Sequence, residues 1–325
     1  MYSKTLSSLN LRWELTADSI TITDKMAENI NNINWYPGHM KKTRELIQQN
    51  LKLVDLVIEI LDARIPVSSR NPVINEITEG KRRIIVLNKS DLADDDSTRD
   101  WIKHFREEGH EALRLNCNKG MGFKELYALL EKIQDEVNVS RTLKKPLRMM
   151  VVGVPNVGKS SFINRLTGRK SAKTGDKPGV TRGKQWLSIE NGMQLLDTPG
   201  ILWPKFEDPR TGLYLAFCGS IKDEILDTDS LGMELIRVLT EEYPGLLTSR
   251  YKLDELCRPG DYSESLGRET EDEKEAAIVN MESIALKRGF ILPGKRINYT
   301  RTAETVLDEF RAGTIGRITL EKVDR

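Results

Sequence analysis

Residues Gly153–Ser160 read G-V-P-N-V-G-K-S and match the pattern G-x-x-x-x-G-K-[ST]. No other feature constrains the fold as much, because this loop works only between a buried strand and a helix. Both flanks are present. LRMMVVGV (147–154) is apolar enough for an interior strand, and SSFINRLTG (160–168) has helical spacing and stops at Gly168. Such glycines let backbone N–H groups wrap phosphates at a helix N-terminus, which assigns contacts to Asn156, Val157, Gly158, Lys159, Ser160 and Ser161. Lys159 neutralises the β/γ oxygens, and the Ser160 hydroxyl reaches Mg²⁺.

The rest of the first two-thirds alternates in the same way. VDLVIEILDA (54–63), RRIIVLNK (82–89) and EALRLNC (111–117) read as strands. Trp101, Ile102 and Phe105 make one helix face, and Phe123, Leu126, Tyr127, Leu130 and Ile133 another. QWLSIENGMQLLD (185–197) reads as a hairpin about Asn191-Gly192, a favoured type I′ pair. The class is α/β with a mainly parallel sheet. After about residue 205 strand signals vanish, and helical patterns such as 275–289 and 302–313 take over, so a second, mostly α-helical domain is expected. Residues 1–33 mix Ser, Thr and Asn with isolated apolar residues and read as a flexible extension. The expected division is therefore 1–33, 34–205 and 206–325.

Three more motifs name the nucleotide. D197-T-P-G200 ends a strand, placing Asp197 to hold Mg²⁺ through water and the Gly200 N–H to meet a γ-phosphate. In K177-P-G-V-T-R182, Thr181 adds its hydroxyl to the Mg²⁺ shell while that phosphate is present. N88-K-S-D91 ends another strand, and the Asp91 carboxylate suits the two N–H donors of the guanine Watson–Crick edge, which adenine does not offer. With Asn88 and Lys89 it points to GTP and GDP. Asn116-Cys117-Asn118 sits where a GTPase places its second, usually Ser-Ala-Lys, guanine loop.

The order of these motifs is unusual, since N-K-S-D precedes the phosphate loop instead of following D-T-P-G. The chain reads as a circular permutation, which a fold tolerates because residues at strand ends assemble in space whatever the connectivity. One consequence is that D-T-P-G runs through I201-L-W-P-K-F206 directly into the helical domain.

Composition narrows the remaining classes. Cys117, Cys218 and Cys257 are far apart, and the histidines are His39, His104 and His110, which disfavours disulfide scaffolds and histidine-based metalloenzymes. No apolar run approaches the ~20 residues of a membrane span, so a soluble protein of a reducing cytoplasm is expected. Net charge is +1, yet residues 140–184 hold twelve Lys/Arg against Asp176, a stretch suited to phosphates.

W35-Y-P-G-H-M40, D62-A-R-I-P-V-S-S-R-N-P72, N88-K-S-D91, G153-V-P-N-V-G-K-S-S161, K173-T-G-D-K-P-G-V-T181 and D197-T-P-G-I-L-W-P-K-F206, in this order, resemble the circularly permuted GTPases of the YlqF/RbgA type. The resemblance runs from about Asn34 to residue 325, and residues 1–33 have no counterpart in it. It implies a GTPase acting late in assembly of the large ribosomal subunit, with a helical domain that contacts ribosomal RNA; a monomer with no DNA or membrane partner is expected. It also implies a water-orienting role for His39, the histidine of P-G-H-M. Ile201 follows D-T-P-G, and a hydrocarbon cannot orient the attacking water as glutamine does. The alternative for His39 is a residue that caps or packs at the start of the helix 40–47. Asn156 resembles the asparagine that binds K⁺ in potassium-dependent GTPases, the alternative being hydrogen bonding within the loop. A second reading of the whole chain is a nucleotide-gated RNA-binding adaptor with incidental turnover.

Overall fold

The computed structural model describes residues 37–139, 142–168, 186–196, 206, 208–221 and 226–323, with side chains from residue 44 onward. It divides into two compact units, one built from 31–221 with 317–325 and the other from 222–316.

The first unit opens with helix α1 (Pro37–Leu51) and strand β1 (Leu56–Asp62), followed by α2 (Pro72–Ile77) and β2 (Arg82–Asn88). α3 (Asp95–Glu107), β3 (Glu111–Arg114), α4 (Phe123–Asn138), β4 (Arg148–Val152) and α5 (Lys159–Thr167) come next. β5 (Trp186–Ser188), β6 (Gln194–Leu196) and α6 (Pro209–Phe217) complete it. The strands form one sheet in the order β3-β2-β1-β4-β6-β5, parallel throughout except for the β5–β6 hairpin. Asn191 and Gly192 turn that hairpin at φ of 60° and 73°, the left-handed pair their chemistry favours.

Every residue of β1 is buried, as expected of a parallel strand covered on both faces. The face that Val57 and Leu61 share carries two clusters: Val57, Met150 and Leu196 pack with Ile47 and Leu51 of α1 and Ile74 of α2, and further along Leu61, Ile85 and Leu87 pack with Trp101 and Phe105 of α3. α4 and α5 carry buried stripes of their own and meet through Phe123 and Phe162, whose ring centroids lie 5.8 Å apart. Local capping sets where several helices begin: Asn71 accepts from Val73 N ahead of α2, and Asp94 from Ser97 N ahead of α3.

The second unit holds α7 (Thr228–Glu242), α8 (Pro244–Tyr251), α9 (Glu273–Arg288) and α10 (Tyr299–Ala312). α7 and α10 cross so closely that a Cβ added at Gly232 would lie 2.5 Å from the Ala303 Cα. Strands do not vanish here: Tyr262–Ser263 pairs with Arg268–Glu269, and Ile291–Leu292 with Arg296–Ile297, both antiparallel. Two-residue strands are too short to show an alternation, which is why the sequence reading passes over them. The boundary read at 205/206 also differs from the observed division. Residues 208–221 and 317–323 belong to the sheet-bearing unit, the first tied in by Asn156 Nδ2 to Gly219 O and the second by Ile318 N to Leu92 O and Trp101 Nε1 to Glu321 O.

Candidate nucleotide-binding site

The loops that carry the motifs leave the carboxyl ends of the parallel strands: Asp62 closes β1, Asn88 closes β2, Asn116 follows β3 and Gly153 follows β4. In an open parallel sheet a ligand crevice forms outside these ends, where strand order reverses. Here the chain builds outward from β1 to β2 and β3, then returns to place β4 on the other side of β1. The reversal therefore falls between β1 and β4, next to the phosphate loop.

Two glycines make that loop possible. Gly153 has φ +150°, and a Cβ there would lie 2.5 Å from the Ile60 carbonyl of β1; at Gly158 (φ +98°) it would lie 2.2 Å from Asn88 Nδ2. Only a residue without a side chain fits either place. Val157 between them is fully buried. Lys159, the first residue of α5, turns its ammonium back into the loop and donates to the Gly153 and Val154 carbonyls at 3.0 and 2.6 Å. Ser160 and Ser161 follow in the first turn of α5, half-buried.

Asn88 joins three loops. Its Nδ2 donates to the Val157 carbonyl at 2.7 Å, and its Oδ1 accepts from the Cys117 N–H at 3.2 Å. N-K-S-D, the phosphate loop and residues 116–118 are thereby brought together, although Asn88 itself is only 3 % exposed. Asp91 keeps its carboxylate partly open, with the Lys119 ammonium 3.8 Å away. Asn116 Oδ1 accepts from Lys119 N, while its buried Nδ2 has no partner among the described residues. An unpaired buried amide is costly, and a ligand acceptor at this loop would remove the cost. Burial pushes the Cys117 thiol up to about 12 despite nearby Arg165, so it is a neutral side chain that contributes its backbone N–H. Arg165 of α5 steadies the same loop by donating to the Asn118 carbonyl at 3.2 Å.

Lys89, at φ +57°, directs its ammonium to Asp62 Oδ2 at 2.9 Å. Sequence reasoning quoted Asp62 and Arg64 only as part of a motif and gave them no role. Arg64 Nε and Nη2 bond the two Asp62 oxygens at 3.0 and 2.8 Å, with both side chains 1 % exposed. Burial alone would raise the Asp62 carboxyl, but Arg64 and Lys89 outweigh it and hold it well below the usual carboxylate range. The readable signal was position, since D-A-R ends a buried strand at the same sheet edge as the other motifs. Asn156 (φ +59°) donates from Nδ2 to the Gly219 carbonyl at 2.6 Å, a bond to the turn after α6.

Thr181, Asp197 and Gly200 lie outside the described residues, as does the side chain of His39, which belongs to the first turn of α1. β6 ends at Leu196, opposite Met150 of β4, one residue short of Asp197. The expected Mg²⁺ donors, Ser160, Thr181 and Asp197, are all oxygens, the set a hard divalent cation takes. Of the three, Ser160 lies within the described residues, in the first turn of α5 directly after Lys159.

Comparison with known proteins agrees with this geometry. Residues 148–232 match the family described as 50S ribosome-binding GTPase. The chain is 44 % identical over 293 residues to ribosome biogenesis GTPase A of Bacillus cereus, covering 89 % of this chain and 93 % of the relative. Against mitochondrial ribosome-associated GTPase 1 of Bos taurus it is 33 % identical, covering 89 % and 88 %. The crystal structure of GNP-bound YlqF from Thermotoga maritima superposes with a TM-score of 0.56 at 25 % identity, covering 86 % of this chain and 98 % of that one.

Proposed function

The chain belongs to the ribosome biogenesis GTPase A family of circularly permuted GTPases, and from that premise we propose that it binds a large-subunit precursor in its GTP state and leaves on hydrolysis. Family membership makes it a GTPase of ribosome biogenesis; the state-dependent cycle is the finer step. The observation that carries the nucleotide site on which the cycle depends is the double bond-making of Asn88, because one side chain holds the N-K-S-D loop against the phosphate loop.

On this reading Asp91 accepts from the guanine edge, and Asn116 and Cys117 border the base. The N–H groups of 156–161 and the Lys159 ammonium hold the phosphates. Ser160, Thr181 and Asp197 would hold Mg²⁺, which when bound would neutralise phosphate charge. The Gly200 N–H meets the γ-phosphate, and His39 orients the attacking water. Asn156 would hold K⁺, which would add positive charge near the phosphates. The helical unit contacts ribosomal RNA, and the chain acts as a monomer in the cytoplasm.

The test is co-sedimentation with large and small ribosomal subunits under GDP, GTP and a non-hydrolysable analogue, with turnover measured alongside. Large-subunit binding under the analogue, loss under GDP and stimulated turnover are expected. GTP-dependent binding without stimulation would favour the RNA-binding adaptor, a reading that rests on the basic stretch 140–184 and on the hydrocarbon side chain of Ile201 after D-T-P-G.

A further inference from the structure

The guanine loop is held from a distant part of the chain. Residues 317–321, which follow the helical unit, lie against the segment that carries Asp91. Arg317 Nη2 donates to the Ser90 carbonyl at 3.0 Å and Nε to the Ala93 carbonyl at 2.8 Å, while its guanidinium also pairs with the Asp95 carboxylate. Ile318 N donates to the Leu92 carbonyl at 2.9 Å, and Thr319 Oγ1 accepts from Asp94 N at 3.0 Å. Backbone groups on both sides of Asp91, at 90, 92, 93 and 94, are thus bound by three consecutive residues. The next two residues reach the loop after β1. Leu320 N donates to the Arg64 carbonyl at 2.8 Å, and the Glu321 carboxylate accepts from the N–H groups of Val67 and Ser68 at 2.6 and 3.0 Å and from the Ser68 hydroxyl.

We propose that residues 317–321 are a strap that sets the guanine loop, and that Arg317 is a positioning residue for base recognition. The inference rests on the reading of Asp91 as the guanine acceptor. A carboxylate discriminates guanine from hypoxanthine only when both oxygens face the base edge, because inosine nucleotides lack the exocyclic amine and offer one donor instead of two. The loop turns sharply at Lys89 (φ +57°), and among the described residues it is held from the sheet only at its start, where Ser90 N and Oγ donate to the Leu115 carbonyl at 3.2 and 3.0 Å and Lys89 pairs with Asp62. Arg317 adds a restraint on the carbonyls of Ser90 and Ala93 that flank Asp91, since its planar fork can hold two carbonyls and a carboxylate at once where a lysine could not.

The experiment is calorimetric titration of the full chain with GDP and with IDP, in wild type, Arg317→Ala, Arg317→Lys, Thr319→Val and Asp91→Asn. The Arg317→Ala variant is expected to bind GDP roughly tenfold more weakly, as for one lost charge-assisted hydrogen bond, and to lose several-fold of its preference for GDP over IDP. The lysine variant should recover part of both, and Thr319→Val should move both the same way by less. A merely structural role would weaken GDP and IDP equally; that result, or unchanged binding of both, overturns the proposal. Should Arg317→Ala fail to fold, Thr319→Val carries the same two readouts. Asp91→Asn decides the underlying reading separately: unchanged GDP preference there removes Asp91 from the base site, and the strap's role in recognition with it.

Discussion

Asn88 Nδ2 donates to the Val157 carbonyl at 2.7 Å, joining two loops that stand 69 residues apart in the chain. In this permuted order the guanine loop is made first and the phosphate loop later, so their registration depends on contacts across the sheet edge rather than on local sequence. Replacing Asn88 by Ala would leave the Val157 carbonyl and the Cys117 N–H without that side chain. Two buried groups losing partners should destabilise the fold by about 2–4 kcal/mol, and GDP and GTP should weaken together. Thermal unfolding of the nucleotide-free protein and titration with both nucleotides check this; a selective loss of GTP would speak against a shared scaffold role.

Gly158 supplies the second half of the same contact. Gly158→Ala places a Cβ 2.2 Å from Asn88 Nδ2 at φ +98°, so the Asn88 bond must break or the loop must shift. Gly168 at the end of α5 has φ +63° with nothing within 4 Å, and alanine there meets backbone strain alone. Gly168→Ala should cost about 1 kcal/mol and leave nucleotide affinity intact, while Gly158→Ala should lower affinity at least tenfold. Equal effects of the two on GDP binding would refute the difference drawn between them.

The Asp62–Arg64–Lys89 cluster predicts a pH dependence. Because Asp62 is held below its ordinary value, its stabilisation is present above the unfolded carboxyl pKa of about 3.9 and is lost as pH falls toward the folded value. Asp62→Asn removes the carboxylate from a guanidinium that is 1 % exposed and should cost about 3–5 kcal/mol at pH 7. The gap from wild type should narrow steadily below pH 4. Denaturant melts of both proteins at pH 7 and pH 3 measure it, and a gap that stays constant would mean Asp62 does not titrate with folding.

These residues also mark what was legible in the sequence. The phosphate loop could be read because its requirements are local: a buried strand, two glycines in left-handed or crowded positions, then a helix. Asp91 was legible as a motif, but nothing near residue 91 announces that Arg317 grips the carbonyls of Ser90 and Ala93. Contacts across more than two hundred residues leave no periodicity. Glu59 is a charged residue in an apolar run, yet it is fully buried on β1 between two apolar clusters, 3.2 Å from Arg83. Burial raises its carboxyl against the pull of Arg83, so a charged letter in a strand reported a buried pair rather than an exposed face.

The last prediction concerns His39, which falls in the first turn of α1, directly after Pro37 and Gly38. Ile47 and Leu51 of α1 pack on the sheet, eight and twelve residues beyond His39 along the same helix. If the imidazole orients the attacking water once ribosomal RNA is bound, it need not touch the ground-state nucleotide. His39→Ala should then leave GTP and GDP affinities nearly unchanged and lower the large-subunit-stimulated rate by roughly 10–100-fold, as for a lost water-orienting group. Basal turnover should fall much less, because the histidine acts only in the assembled complex. Single-turnover hydrolysis with saturating subunits, paired with sedimentation of the variant, separates the step from docking. A stimulated rate equal to wild type ends the proposal. A loss of subunit affinity that accounts for the whole defect makes His39 part of the docking surface, and the water-orienting group would then have to come from the ribosome.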